Sequence, residues 1–424
     1  MWQKKPAMQP DNSHIKKILP VVFMLLGMQA LLPFITKPAG LIAGLLAGIW
    51  LFSKTGKICF SRFILFNSLI FFVYVISLFN SGDTFTVLQY LQRSLPFLAF
   101  PVFFILISGY PFTKQDFEQL THVFYRTYFT ATVIYSLIVL AYFFHLGCFT
   151  GGASYDLCMS FIRAYVWGFY GHPIYVSIYL MLAVIFSVYL YRKNLMNKTL
   201  LIIGNLILYG LLFYLSRKAV IVSGIVAMTY YVFRSVENGK LKTIFLVVMT
   251  ILFASGVFLF PNTAKRFREL FNASTYVDKP DLKNSTQLRL AIYRCSVSLI
   301  PRAGLFGFGI GDVQDELNRC YMQINPEMVE GKDTYNTHNV FLNFLLATGY
   351  FGFAVFIFVL YMLYGIAFRL KDPLFAVVLI FFTLVFLTEN VISRQNGILI
   401  FAFLINFYTF KFLIDSGRLC ASGK

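Results

Sequence analysis

His338 opens the stretch YNTHNVFLNFLLATGYFG, residues 335–352, in which an imidazole flanked by Asn336 and Asn339 precedes a long apolar run containing Gly349 and Gly352. An unperturbed imidazole titrates near pH 6.5, so at neutral pH it can take a proton from a weakly nucleophilic hydroxyl. Arg217, Arg289 and Arg394 each fall at or beside the end of an apolar or helical segment. A guanidinium is a fixed fork of donors matched to carboxylates and phosphates. A base with several such forks suits a reaction in which a hydroxyl attacks and an anion departs, provided the fold brings them together.

Composition shows what kind of fold must do so. Hydrophobic residues are 58% of 424, charged residues 13%, and mean hydropathy is +0.71, far more apolar than a soluble domain. The expected fold is all-α, a polytopic membrane helix bundle. Apolar runs close to the roughly 20 residues that span a bilayer lie at about 18–35, 38–53, 63–80, 93–110, 122–145, 174–191, 199–215, 219–233, 243–260, 340–367, 373–388 and 397–414. About twelve transmembrane helices follow from this reading. Nothing at the start resembles a cleavable signal, because Met1 to Lys17 is polar and lysine-bearing.

Sidedness follows from the lysines and arginines, which concentrate in cytoplasmic loops. With the N-terminus inside, the inner segments hold Lys54 and Lys57, Lys114, Arg192 and Lys193, Arg234, Lys371, Lys411 and Lys424. Both termini are then cytoplasmic. The outer segments are 81–86, 147–172, the Ser216–Arg217–Lys218 turn, the long stretch 261–337 and the 389–396 hairpin. Arg217, Arg289, His338 and Arg394 thus share the outer face, where their mutual repulsion calls for an anion. The anions that recur at that surface are lipid phosphates and pyrophosphates. Three parts are expected: helices in 1–260, a large, partly helical outer loop at 261–337, and helices in 338–424.

Cys148, Cys158, Cys295 and Cys320 also fall on the outer face, where an oxidising compartment permits Cys148–Cys158 and Cys295–Cys320 pairing. Within the 77-residue loop, 261–302 carries eight basic and three acidic residues, whereas 303–337 carries two and six. Ser285 to Leu299 has helical spacing, AGLFGFGIG at 303–311 reads as a glycine-rich turn, and Asp312 to Ile324 as a second short helix. GFGIGD fits neither a phosphate-loop nor a dinucleotide fingerprint. The scattered histidines and cysteines show no metal-ligand spacing. No cofactor, metal or nucleic-acid partner is called for.

Bland roles compete for several of these residues. Arg217 can snorkel to headgroups, and Lys218 beside it would point elsewhere on a helix. Arg394 and Glu389 suit either a substrate site or a structural ion pair in a tight hairpin. His172 before Pro173 suits a helix entry or chemistry. His338 on a helix beginning near Thr337 would share a face with Leu342, Leu345, Gly349 and Gly352, with the glycines admitting a neighbouring backbone. It could equally be an interfacial residue that caps the helix with Asn336 and Asn339. The aromatics are expected to be mostly lipid-facing or interfacial.

The pattern His338, Asn339, nine residues, Gly349, two residues, Gly352 resembles the signature of the O-antigen ligase and O-antigen polymerase superfamily, bacterial enzymes that move glycans off undecaprenyl pyrophosphate. GFYGHPIYVSIYL at 168–180, SRKA at 216–219, QLRLAIYRCSVSLI at 287–300, GLFGFGIG at 304–311 and TENVISRQNGILIFAF at 388–403 are similar to further family features, in the same order. The resemblance covers about 170–405. It implies a metal-independent, inverting glycosyl transfer at the periplasmic face of the inner membrane, with Arg217 and Arg289 on the donor pyrophosphate and His338 at the reacting centre. Arg394, Glu389, Asn339, Lys218 and His172 are the further substrate-binding candidates.

The implied partners are an undecaprenyl-pyrophosphate-linked glycan donor, an acceptor on lipid A core or on a lipid-linked repeat unit, and membrane lipids. A ligase would use the core, a polymerase the repeat unit. A flippase for the same lipid would place cations at mid-membrane depth within internal repeats, and no repeat is apparent.

Overall fold

The computed structural model describes residues 12–163, 172–271, 281–282, 284–330 and 335–420. Lys4, Lys5 and Lys424, and residues 168–171 of the Gly-His-Pro stretch, lie outside them. Regular structure among the described residues is helical, as required where backbone N–H and C=O groups must pair without water. The N-terminal half comprises α1 (Asn12–Gly27), α2 (Ala39–Thr55), α3 (Arg62–Phe66), α4 (Leu69–Ile76), α5 (Thr84–Ser94), α6 (Pro96–Ile107), α7 (Lys114–His145), α8 (Tyr155–Arg163) and α9 (Pro173–Arg192). Next come α10 (Lys198–Tyr214), α11 (Lys218–Ser235) and α12 (Gly239–Leu259). The large loop holds α13 (Pro261–Arg268), α14 (Ser285–Ala303), α15 (Val313–Ile324) and α16 (Glu327–Glu330), and α17 (Val340–Arg369), α18 (Leu374–Phe386) and α19 (Gln395–Asp415) follow.

Eight helical segments among the described residues are long and apolar enough to cross a membrane, with three shorter apolar helices beside them. The helices do not confirm the expected count of twelve. The runs read as spans near 199–215 and 373–388 are helices of 17 and 13 residues, about 25 and 20 Å at 1.5 Å per residue, against a hydrocarbon core of about 30 Å.

Two helices form the centre. α9 and α19 are buried along nearly their whole length, whereas α12 stands at the rim with almost every side chain outward. Many aromatics line this core instead of facing lipid: Phe117, Phe124, Phe403, Phe407 and Phe410 pack ring against ring. The expected orientation of the aromatics is corrected to that extent. Unbranched rings offer large area with few rotamers to lose, which favours them between closely packed helices.

The glycines of the 335–352 stretch admit close neighbours, as expected, but Gly349 does so by breaking the helix. α17 breaks at Gly349, whose φ of 65° lies in the left-handed region. The break frees the carbonyls of Leu346 and Ala347 and the N–H groups of Tyr350 and Phe351 from one another. The glycine-rich loop fills in: Phe308 and Gly309 N–H donate to Leu346 and Ala347 oxygens at 2.8 and 3.1 Å, while Tyr350 and Phe351 N–H donate to Gly304 and Leu305 oxygens at 3.2 and 3.0 Å. All four orphaned groups are satisfied, as burial requires. A Cβ at Gly349 would run into the Leu305 carbonyl, and one at Gly307 into the Ala347 backbone. The neighbouring backbone that Gly349 admits is that of the glycine-rich loop. Gly352, as expected, allows close packing, lying against Thr348 and Val73 of α4. The Asp312 carboxylate ties the far end of the loop to the Gly82 and Asp83 N–H groups at 2.6 and 3.0 Å.

Both expected disulfides, Cys148–Cys158 and Cys295–Cys320, are present. A third, Cys59–Cys420, lies toward the opposite end of the bundle, where the compartment argument did not look for one.

Gly349→Ala is expected to lower stability by about 1–3 kcal/mol from backbone strain alone, with a further penalty from overpacking. Gly365→Ala, in the same helix with open space around it, should leave the melting temperature unchanged or slightly higher. Thermal unfolding of the two purified variants checks the contrast, and equal melting temperatures would remove the loop from its assigned role.

Candidate functional site

Glu389 lies in the hairpin between α18 and α19 and is only 7% exposed. One carboxylate oxygen, Oε1, accepts from Arg289 Nη2, and the other, Oε2, lies 3.3 Å from His338 Nδ1. A buried charge is tolerable only when paired and hydrogen-bonded. Burial alone would raise this carboxyl. Arg289, the His338 hydrogen bond and charge, and Arg217 outweigh it and hold the group down at about 2.

Arg289 comes from α14, whose N-terminus is capped by Asn284, its Oδ1 accepting from Thr286 and Gln287 N–H. One turn later Tyr293 donates to the His338 and Leu387 carbonyls at 3.2 and 3.1 Å. Burial pushes its phenol up to about 12, so it remains a donor. The i, i+4 spacing of Arg289 and Tyr293 puts both on one helix face, a signal available in the sequence and not used.

His338 is not on the helix, correcting the expected face-sharing with Gly349. α17 begins at Val340, with Asn339 as its cap: Asn339 Oδ1 accepts from Leu342 N–H at 3.0 Å, and its Nδ2 donates to Leu387 O at 2.9 Å. His338 precedes the cap at φ 44°, an unfavourable left-handed backbone for a residue with a Cβ. Asn336 Oδ1 holds its N–H at 2.9 Å, and Tyr293 holds its carbonyl. Ser216, directly before Arg217, is likewise left-handed at φ 56°. It is pinned by Thr263, whose hydroxyl lies 2.7 Å from its own. Two of the three non-glycine left-handed residues among those described therefore present site side chains, and such strain persists only where surroundings over-determine it.

Arg217, Lys218, Arg266, Arg289 and Glu389 line one small cavity. Four cations against Glu389, with Glu269 behind Lys218 at 3.8 Å, leave it anion-seeking. Burial pushes Arg217 down to about 10, still protonated at neutral pH. Its Nε and that of Arg289 are buried without a hydrogen-bond partner among the described residues. Lys218 does not point elsewhere, as expected, but donates to Thr286 Oγ1 at 2.6 Å and Arg266 O at 3.3 Å, tying α11 to the loop. Arg266 was missed individually, although it lies in the basic half of the loop.

A second cavity, sharing Glu389, is lined by His172, Tyr175, Asn336, His338 and Arg394. His172 Nδ1 accepts from Ile174 N–H at 3.4 Å ahead of Pro173, a helix-entry cap that also faces the cavity. Arg394 is exposed and makes no ion pair among the described residues. Both Glu389 oxygens go elsewhere, so the Arg394–Glu389 ion pair does not form. Beneath, Tyr175 and Tyr179 donate to Val391 and Asn396 carbonyls at 3.4 and 3.1 Å, and buried Lys37 donates to Asn396 Oδ1 at 3.0 Å. These three fix the hairpin, and nothing in the local sequence around Lys37 announces it.

Chemically, the arrangement offers an anion cavity beside an imidazole, joined by one shared carboxylate. With Nδ1–H directed at Glu389, the His338 Nε2 lone pair is the basic position.

Residues 202–357 match the family model described as O-antigen ligase. The matched span contains Arg217, Arg289, His338 and Gly349 and ends before Glu389 and Arg394. No curated protein matches the chain.

Because the folded Glu389 carboxyl lies at about 2, below its ordinary 4.5, its contribution to stability is complete above pH about 4.5 and is lost as pH falls toward 2. Glu389→Ala leaves the half-buried Arg289 unpaired, and should cost up to about 3 kcal/mol. Melting curves between pH 3 and 7 are expected to show a weaker acid dependence in the variant; parallel curves for both proteins would contradict the buried-carboxylate role.

Proposed function

We propose, from the match of residues 202–357 to the O-antigen ligase family model, that the protein is a membrane glycosyltransferase acting as an O-antigen ligase. It transfers polysaccharide from undecaprenyl pyrophosphate to a sugar hydroxyl of lipid A core, at the periplasmic face of the bacterial inner membrane. The observation that carries this reading is the shared carboxylate, which sets His338 beside a cavity of four cations.

The donor pyrophosphate occupies the cavity of Arg217, Lys218, Arg266 and Arg289. The acceptor hydroxyl gives its proton to His338 Nε2 as its oxygen bonds to the anomeric carbon from the face opposite the leaving group. The carbon–oxygen bond to pyrophosphate breaks with inversion, and the electron pair stays on the pyrophosphate. Preorganised guanidinium donors stabilise that developing charge in place of a metal ion. Glu389 keeps the imidazole tautomer and orientation fixed. Asn336, His172 and Arg394 border the side from which the acceptor would approach, whereas Asn339, expected to bind substrate, is committed to the cap of α17 and the Leu387 carbonyl.

The ligase reading over a polymerase rests on the His-Asn, nine, Gly spacing, since both would share the donor cavity. Cations at one end of the bundle, not at mid-depth, speak against a flippase.

A strain lacking the gene, complemented with variants, tests the proposal by its surface polysaccharide and lipid-linked pool. Removing one charge-stabilising donor costs about 100- to 1,000-fold and a base about 100- to 10,000-fold, so Arg217→Ala, Arg289→Ala and His338→Ala should each leave long chains on undecaprenyl pyrophosphate and bare core. A core bearing single repeat units would assign the polymerase reaction instead. Normal polysaccharide in all three would refute the site.

A further inference from the structure

A roomy cavity lies nowhere near His338. It measures about 580 Å³ and lies at the opposite end of the bundle. Its residues stand at the start of α7 and the ends of α9, α11 and α19, whereas the Glu389 site adjoins the starts of α9, α17 and α19. Lys114, Arg192, Lys193, Arg234, Lys371 and Lys411 line it, against the carboxylates Glu118, Asp372 and Asp415. Lys193 is paired to Glu118 at 2.6 Å and Lys411 to Asp415 at 2.9 Å. Arg192 donates to Tyr231 Oη at 2.7 Å, a contact that neutralises nothing. Lys114, Arg234 and Lys371 make no ion pair among the described residues. The walls also include apolar Phe117, Tyr189 and Pro373.

A general excess of basic residues at the cytoplasmic ends of membrane helices explains their number. It does not explain why five separate chain segments direct them into one concavity, with carboxylates absorbing only part of the charge. We propose that this cavity is a binding site for the phosphate of an anionic phospholipid headgroup, with acyl chains lying in the bilayer beside it. Basic pockets between membrane helices at headgroup level have the charge and position for such ligands. The ligand would clamp the ends of α7, α9, α11 and α19, among them both central helices whose other ends build the catalytic hairpin and His172. The shared chemistry is phosphate, which a soluble phosphate or pyrophosphate could also supply.

The test uses the purified full chain in neutral detergent. Binding of cardiolipin, phosphatidylglycerol, phosphatidylcholine and inorganic pyrophosphate is measured by native mass spectrometry and by melting-temperature shift. Two triple variants are compared with wild type: Lys114→Gln/Arg234→Gln/Lys371→Gln in the cavity, and Lys54→Gln/Lys57→Gln/Lys240→Gln, exposed cations outside it. Each cation near a headgroup is worth roughly a fivefold change in affinity, so the cavity triple should weaken cardiolipin and phosphatidylglycerol binding on the order of a hundredfold, while the control triple and phosphatidylcholine show little change. The same pattern with pyrophosphate and no lipid preference would support the site with a soluble occupant. Equal losses in both triples, or none in the cavity triple, would overturn the proposal as general surface attraction.

Discussion

One buried carboxylate governs the end of the bundle that carries the candidate site. Glu389 draws Arg289 from the large loop and His338 from the start of α17 toward the hairpin before α19. Without it, only Glu269, 3.8 Å from Lys218, would oppose the mutual repulsion of Arg217, Lys218, Arg266 and Arg289. With it, they remain cationic in excess. Local electrostatics thus allow the cavity to exist in the folded protein and still leave it selective for an anion.

Precision comes from the backbone. His338 and Ser216 both occupy left-handed conformations, each held by neighbouring hydrogen bonds, so the imidazole and the Arg217 guanidinium start from over-determined positions. The break at Gly349 lets the glycine-rich loop cross α17 and exchange four backbone hydrogen bonds with it, fixing α14, and with it Arg289, relative to His338. Tyr175, Tyr179 and Lys37 secure the hairpin from below. Four stretches distant in sequence are thereby held at one end of α9 and α19.

The sequence makes part of this legible. Apolar runs reveal a helical membrane protein, and helical spacing locates α14 and α15. The cations at segment ends indicate the candidate site, because charge is expensive near a bilayer and so is informative where it occurs. Harder to read are features set by tertiary contact. Glu389 could be named but not assigned its two partners, since the choice of Arg289 and His338 over Arg394 depends on how the hairpin folds back. Gly349 looked like a packing residue because a helical periodicity carries no mark of a φ reversal. Lys37 and the Cys59–Cys420 bond join segments more than 350 residues apart, beyond any local pattern. The number of spans is hard to read because short apolar runs buried inside a bundle have the same composition as those that cross it.

The central claim is that the Glu389-linked cations and imidazole transfer a glycan from a lipid pyrophosphate without a metal ion. Its most direct measurement is transfer by the purified protein, given undecaprenyl-pyrophosphate-linked polysaccharide and lipid A core in the presence of EDTA, with product and released pyrophosphate lipid both followed. The account predicts stoichiometric formation of core-linked glycan with inverted anomeric configuration, reduced at least a hundredfold in Arg289→Ala. Retained configuration, a requirement for added divalent metal, or undiminished transfer by Arg289→Ala would contradict it.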